Sequence, residues 1–166
     1  MVRESSIDVA NVIDEPRNFS QTLVFSACII PDKDVALQMI KVLADLGVDP
    51  LKEDTLKQSP LFYAAREGNS AVIDFLCARD AELVNRQDKY GQTPIYYCVR
   101  EGHIQTTMQL MSKGANFDHV DVKNQRPIYY AITSNKFEMV KFLIDKGANL
   151  QLEDKKGITP TMWARK

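Results

Sequence analysis

The stretch GQTPIYYCVREGH (residues 91–103) places Thr-Pro, two adjacent tyrosines and Gly-His within thirteen residues. A catalytic constellation of that kind would occur once in a small protein. This one recurs in outline as KQSPLFYAAREGN from Lys57, NQRPIYYAITSNK from Asn124 and GITPTMWARK from Gly157. The aspartates that open these units, Asp54, Asp88, Asp121 and Asp154, are spaced 34, 33 and 33 residues apart. Gly47, Asp80, Gly114 and Gly147 form a second series with spacings of 33, 34 and 33. Self-similarity at such a period marks stacked supersecondary units, none of which can bury its apolar face alone.

Within one unit the local signals predict two short antiparallel helices and a projecting turn. In the unit that opens at Asp121, Pro127 suits a first helical turn, where its missing N–H costs nothing. Ser59, Thr93 and Thr159 precede the corresponding prolines and are expected to cap the exposed N–H groups; Arg126 is not. SNK (residues 134–136) interrupts, and Phe137, Val140, Phe142, Leu143 and Ile144 resume with helical spacing until Gly147, a residue suited to the left-handed turn that ends a helix. Ala64, Cys98, Ala131 and Ala164 recur at one register of the first helix, and their small size lets neighbouring helices approach closely.

These residues resemble the ankyrin-repeat family, whose units carry a D-x-x-G-x-T-P-L-H-x-A-A segment and a later G-A-D/N. The matches are DKYGQTPIYYCV with GAN from Gly114, DVKNQRPIYYAI with GAN from Gly147, and DTLKQSPLFYAA with DAE from Asp80. The resemblance covers roughly Thr22 to Lys166 and implies an all-α ankyrin-repeat solenoid of about four repeats plus a partial C-terminal one. The units run at about 19–53, 54–87, 88–120, 121–153 and 154–166; residues 1–18 are expected to be a flexible leader or a small N-terminal cap. The family's turn glycine is replaced by Lys57 in one unit and Asn124 in another. Asn tolerates a left-handed backbone better than Lys does, so the Lys57 turn is expected to differ. The family's histidine after Thr-Pro-Leu is Phe62, Tyr96, Tyr129 or Met162 here, and aromatic packing is expected to replace part of its hydrogen bond.

The first unit is divergent. TLVFSAC (residues 22–28) aligns with SPLFYAA without the proline, and its second helix is expected over Asp34 to Leu46. Cys28 to Leu43 is 15 residues against 11 from Ala65 to Leu76, which predicts a four-residue insertion in the inter-helix loop. At the other end, a first helix opens at Thr159-Pro160, and the sequence stops at Lys166. Either Arg165 and Lys166 serve as a minimal polar end, or the chain is an excerpt of a longer one, the reading preferred here.

Composition narrows the function. Of the 166 residues, 45% are hydrophobic and 26% charged, the balance of an ordinary globular protein. The longest nearly apolar run, residues 22–30, is far short of a membrane span, and no signal peptide opens the chain. An intracellular protein, cytoplasmic or nuclear, monomeric and without a membrane, is the resulting expectation. A net charge of −1 argues against nucleic acid. Cys28, Cys77 and Cys98 read as buried free thiols. His103 lies in a Gly-His that opens a second helix, and His119 has no neighbour at metal-ligand spacing. With no nucleophile-and-base pair and no phosphate loop, the chain reads as a non-enzyme that needs no cofactor. Tyr63, Tyr97, Tyr130 and Trp163 are expected to form a core or half-buried ladder whose polar atoms need partners at its edge.

The resemblance implies that a protein or peptide partner is bound on the concave side, by the turn tips and the exposed positions of the first helices. Carried onto this sequence, those are Thr55, Leu56, Gln58, Arg66 and Glu67; Lys89, Tyr90, Gln92, Arg100 and Glu101; Val122, Lys123, Gln125, Thr133 and Ser134; and Lys155, Lys156 and Ile158. Six of these are basic and two acidic, so an acidic partner segment is expected, with Tyr90 as its main anchor. The alternative is a regulatory or targeting domain of a larger enzyme such as a protein-modifying transferase. A narrower form of it reads methylated lysine on histone tails through an aromatic cage, with Tyr90 and Phe117 as candidates.

Overall fold

The computed structural model describes residues 23–165. Among them nine α-helices and one 3-10 helix follow in order, with no strand: α1 Leu23–Cys28, α2 Lys33–Asp45, α3 Pro60–Glu67, α4 Ser70–Cys77, the 3-10 helix Ala81–Asn85, α5 Pro94–Glu101, α6 Ile104–Ser112, α7 Pro127–Thr133, α8 Phe137–Asp145 and α9 Pro160–Trp163. The leader or cap expected over residues 1–18 lies outside the described residues. Pro60, Pro94, Pro127 and Pro160 each stand at the first position of a helix, where the missing N–H costs nothing.

Consecutive units pack through their first helices, α1 on α3, α3 on α5, α5 on α7 and α7 on α9, and the first two units also pack α2 against α4. Ala64, Cys98 and Ala131 are fully buried along this seam, whereas Ala164 is exposed. Two adjacent aromatic positions connect the first four units in succession. Phe25 meets Tyr63 edge to face at 5.0 Å, Phe62 meets Tyr97 at 5.5 Å, and Tyr96 meets Tyr130 at 5.5 Å. Such contacts add to the roughly 1.5–3 kcal/mol that full burial of each large apolar side chain supplies. Cys28 and Cys98 lie in the same core, and burial pushes both thiols up to about 12; Cys77 is also buried, and all three are free.

Where the family histidine would stand, the tyrosines do more than pack. Tyr96 donates its hydroxyl hydrogen bond to the His119 carbonyl at 2.6 Å, with the Gln125 carbonyl at 2.9 Å as its second acceptor. Tyr129 reaches the carbonyls of Leu152 and Ile158 in the same way. The Tyr96 and Tyr129 phenols thus tie each first helix to the chain that follows. His103 is structural: its Nε2 pairs with the Arg66 carbonyl at 2.8 Å, and its ring fills the space beside Gly68 that any Cβ would need.

Several expectations are corrected. The extra residues of the first unit do not lengthen its loop. Its second helix begins five residues after Cys28, just as α4 begins five after Ala65, but runs for 13 residues against 8. The insertion is one added helical turn, started by the Asp32 side chain, which accepts from the Asp34 and Val35 amides. Ser59 and Thr93 do not cap their helices: their own carbonyls take the Phe62 and Tyr96 amides, and their buried hydroxyls have no hydrogen-bond partner. Only Thr159 caps, accepting from the Met162 amide at 3.3 Å. On α8 the core face is formed by Met139 and Leu143, while Phe137 is 74% exposed and Ile144 lies outside. After α4, Asp80 does not match the left-handed glycines; it caps the 3-10 helix through the Glu82 amide.

The Lys57 turn does not differ either. Lys57 has φ 59°, the same left-handed conformation as Asn124 at 59° and Gly91 at 70°. The turn's hydrogen bonds impose it, because the Lys57 amide must reach the Asp54 carbonyl at 3.0 Å. A Cβ in this region costs about 1–2 kcal/mol, partly offset in glycine by its looser unfolded chain. Lys57→Gly is therefore expected to stabilise the fold by about 0.5–1 kcal/mol, read as a higher urea midpoint at unchanged slope.

Candidate partner-binding face

Each projecting turn is organised by its aspartate. Asp88 accepts the Tyr90 and Gln92 amides through Oδ1, both at 2.9 Å, while its own amide bonds the Gln92 carbonyl at 2.9 Å. Asp54, Asp121 and Asp154 repeat the arrangement. This is the local turn chemistry expected of Asp. The second oxygen does something else. Asp88 Oδ2 accepts from the Tyr97 hydroxyl of its own unit at 2.7 Å and from Gln58 Nε2 of the preceding unit at 2.9 Å. Asp121 Oδ2 receives Tyr130 at 2.6 Å and Gln92 at 3.3 Å, and Asp154 Oδ2 receives Trp163 Nε1 at 3.3 Å and Gln125 at 2.8 Å. Tyr63 donates to Asp54 at 3.1 Å.

All four carboxylates are buried. For Asp154, burial opposes ionisation, but the bonds from Gln125, the Ile158 and Lys156 amides and Trp163 outweigh it and hold its pKa below the usual carboxylate value. Two arginines complete the ladder. The Arg66 guanidinium carbon lies 4.9 Å from the Tyr63 ring and 4.9 Å from Tyr97; that of Arg100 lies 5.0 Å from Tyr97 and 4.8 Å from Tyr130. Arg100 Nη2 also donates to Gln92 Oε1 at 3.1 Å. Each arginine thus joins two units through the faces of their rings.

The turn tips are joined by backbone. The Lys89 amide donates to the Leu56 carbonyl at 2.9 Å, Val122 to Tyr90 at 3.0 Å, and Lys155 to Lys123 at 2.9 Å. Four tips therefore form one continuous rim.

Against this geometry the expected partner residues divide into two groups. Gln58 and Gln92 are buried rather than exposed, because their amides bridge to the next unit's aspartate. Gln125, Arg66 and Arg100 are half-buried and occupied by the same ladder. Thr55, Lys89, Tyr90, Val122, Lys123, Lys155 and Lys156 are exposed on the rim, and Glu67, Glu101 and Thr133 are exposed at the ends of their helices; Leu56, Ser134 and Ile158 are half-exposed. Tyr90 and Val122 are each 49% exposed on hydrogen-bonded neighbouring tips. Phe117, the other aromatic expected of a cage, packs against the core. The bridging role of the glutamines had a signal in the sequence. An aromatic stands nine residues after every turn Asp, and Gln stands four after three of the four.

Among the described residues, no group of three His, Cys, Asp or Glu is placed to hold a metal ion, and no helix is long and apolar enough to cross a membrane. A family model described as ankyrin repeats (3 copies) matches residues 24–121 and 106–166. No curated protein matches the chain.

Burial, with the hydrogen bond to Asp88 next, raises the Tyr97 pKa; burial and then Asp121 do the same for Tyr130, and burial leads again for Tyr96 and for Tyr129, the last pushed up to about 12. A raised folded value makes this contribution complete below the unfolded tyrosine pKa of about 10 and lost as pH climbs above it. Ultraviolet titration is expected to show these four phenols ionising only together with loss of helical circular dichroism. Tyr97→Phe is expected to cost about 1.5 kcal/mol in urea unfolding, the scale of a hydrogen bond to a charged acceptor.

Proposed function

The chain belongs to the ankyrin-repeat family, whose repeats are generally protein–protein interaction modules and typically non-catalytic, and from that premise we propose that it binds a protein partner through the rim of turn tips on its concave side. The observation that carries this reading is the row formed by Leu56, Tyr90 and Val122, apolar side chains set on backbone-bonded tips and bordered by Lys57, Lys89, Lys123, Lys155 and Lys156. An aromatic anchor within a basic border suits an acidic segment that carries an apolar side chain. The turn carboxylates are turned inward and hydrogen-bonded, so the lysines rather than the aspartates face a partner at the tips.

Preorganisation is the mechanism. A rim fixed by turn and inter-turn hydrogen bonds loses little backbone entropy on binding, so the contact energy appears as affinity. Glu67 and Glu101, exposed at the ends of α3 and α5, limit how far an acidic partner extends along the helices. The rim serves in the same way whether the stack acts alone or as the targeting part of a larger enzyme. Methyl-lysine recognition gains no support, since Phe117 is committed to the core.

The test is affinity capture from native lysate with the wild-type chain, a Lys89→Ala/Tyr90→Ala variant, and a control altered on α8 at Glu138 and Lys141. The rim variant is expected to lose about 10-fold in affinity for the captured partner with unchanged circular dichroism, and the control to retain it. Retention by the rim variant would place the binding face elsewhere.

A further inference from the structure

The rim of turn tips changes character along its length. Leu56, Tyr90 and Val122 follow one another on the tips of the second, third and fourth units, and then Lys123, Lys155 and Lys156 come together on the fourth and fifth. The Lys155 amide bonds the Lys123 carbonyl at 2.9 Å, so these two tips are one piece of backbone. All three lysines border a single cavity of about 390 Å³, whose walls include Thr133, Gln125 and Asp154. We propose that this basic end of the rim receives a phosphate monoester carried by a side chain of the protein partner.

The fold makes no use of these three charges. Where it does employ a lysine, the ammonium group has a partner: Lys33 Nζ donates to the Gly68 carbonyl at 2.8 Å, and Lys113 pairs with Asp74 at 2.7 Å. Lys123, Lys155 and Lys156 are exposed, and among the described residues none of their ammonium groups has an ion pair or a hydrogen bond. Glu153, the nearest exposed carboxylate in sequence, lies beside Gly157 and pairs with none of them. Like charges gathered at one concave place attract an anion in proportion to its charge.

Asp154 is the carboxylate in the cavity wall, and it is already occupied. Its Oδ1 accepts from the Lys156 and Ile158 amides at 2.8 and 3.1 Å, and its Oδ2 from Gln125 Nε2 at 2.8 Å and Trp163 Nε1 at 3.3 Å. Three ammonium groups and one carboxylate leave two positive charges at the cavity. A phosphate monoester carries about −1.5 to −2 at neutral pH and offers three acceptor oxygens, whereas a single Asp or Glu brings half that charge. Room is available too. Arg66 and Arg100 lie over Tyr97 and Tyr130 at the two preceding registers, but the residue at that place on α7 is Thr133, whose short side chain lines the cavity without filling it. A nucleic acid would call for basic residues along the whole rim, and its other half is apolar. A peptide with an apolar side chain toward Tyr90 and a phosphate further along matches both halves.

This inference rests on the rim as the binding face and names the chemistry of one end of it. The probe is the peptide acetyl-Leu-Ala-Ala-phosphoserine-Ala-Ala-amide, compared with versions carrying serine or aspartate in place of phosphoserine and followed by amide chemical shifts of the nitrogen-15-labelled chain. The phosphopeptide is expected to shift the Lys123, Thr133, Lys155 and Lys156 amides saturably, with affinity about 10-fold lower for the aspartate peptide and no saturation with the serine peptide. Lys155→Gln/Lys156→Gln is expected to weaken the phosphopeptide about 10-fold at unchanged circular dichroism. No saturable shift, shifts centred elsewhere, equal binding of the aspartate or serine peptide, or undiminished binding by the lysine variant would overturn the proposal. So would binding of phosphoinositide vesicles or single-stranded RNA at these lysines without binding of the phosphopeptide. If the captured partner is kept by Lys155→Gln/Lys156→Gln and after phosphatase treatment of the lysate, but is lost from the Lys89→Ala/Tyr90→Ala variant, the phosphate assignment falls and the rim stands. If the phosphopeptide titrates as expected while the rim variant keeps its partner, the rim reading falls and the phosphate site stands.

Discussion

A buried carboxylate in each projecting turn is the constraint on which the rest of this molecule depends. Isolated in a low-dielectric setting, such a group would be destabilising by several kcal/mol. Here one oxygen closes the turn through two backbone amides, and the other gathers the aromatic of the same unit and, at Asp88, Asp121 and Asp154, the glutamine of the unit before. Turn shape, helix placement and the joint between units are thereby fixed by one side chain. The left-handed backbone of Lys57 is tolerated for the same reason: the hydrogen-bonded turn offers no other path.

That economy decides which residues remain for recognition. Polar side chains on the inner edge of a repeat stack would ordinarily be assigned to a partner, yet Gln58, Gln92, Gln125, Arg66 and Arg100 serve cohesion. What is left is the rim, where Tyr90 and Val122 project from tips joined by backbone hydrogen bonds. Aromatic faces and guanidinium groups thus serve cohesion at successive registers of the stack.

The fold was legible because its signals are local and repeated: Pro at the first helical position, Gly or Asn where φ is positive, and an apolar spacing that restarts every unit. Which polar side chains serve cohesion was not. Spacing places Gln92 near a turn tip, but only the position of the neighbouring unit shows that its amide is within reach of Asp121. The constant interval of nine from Asp to aromatic carried part of that information. The added turn of α2 escaped for a related reason, since counting residues between aligned positions cannot separate a longer loop from a longer helix. Phe137 shows the limit of periodicity: apolar residue types continue the helical pattern, while the face toward the core is set by Met139 and Leu143.

The claim that neighbouring units are held through the turn carboxylates is tested most directly by a double-mutant cycle between Gln92 and Tyr130. These residues belong to adjacent units and meet at 2.7 Å over Asp121. Urea unfolding of Gln92→Ala, Tyr130→Phe and the double variant yields their coupling energy. The account predicts about 1 kcal/mol or more, whereas additivity within about 0.3 kcal/mol would contradict it.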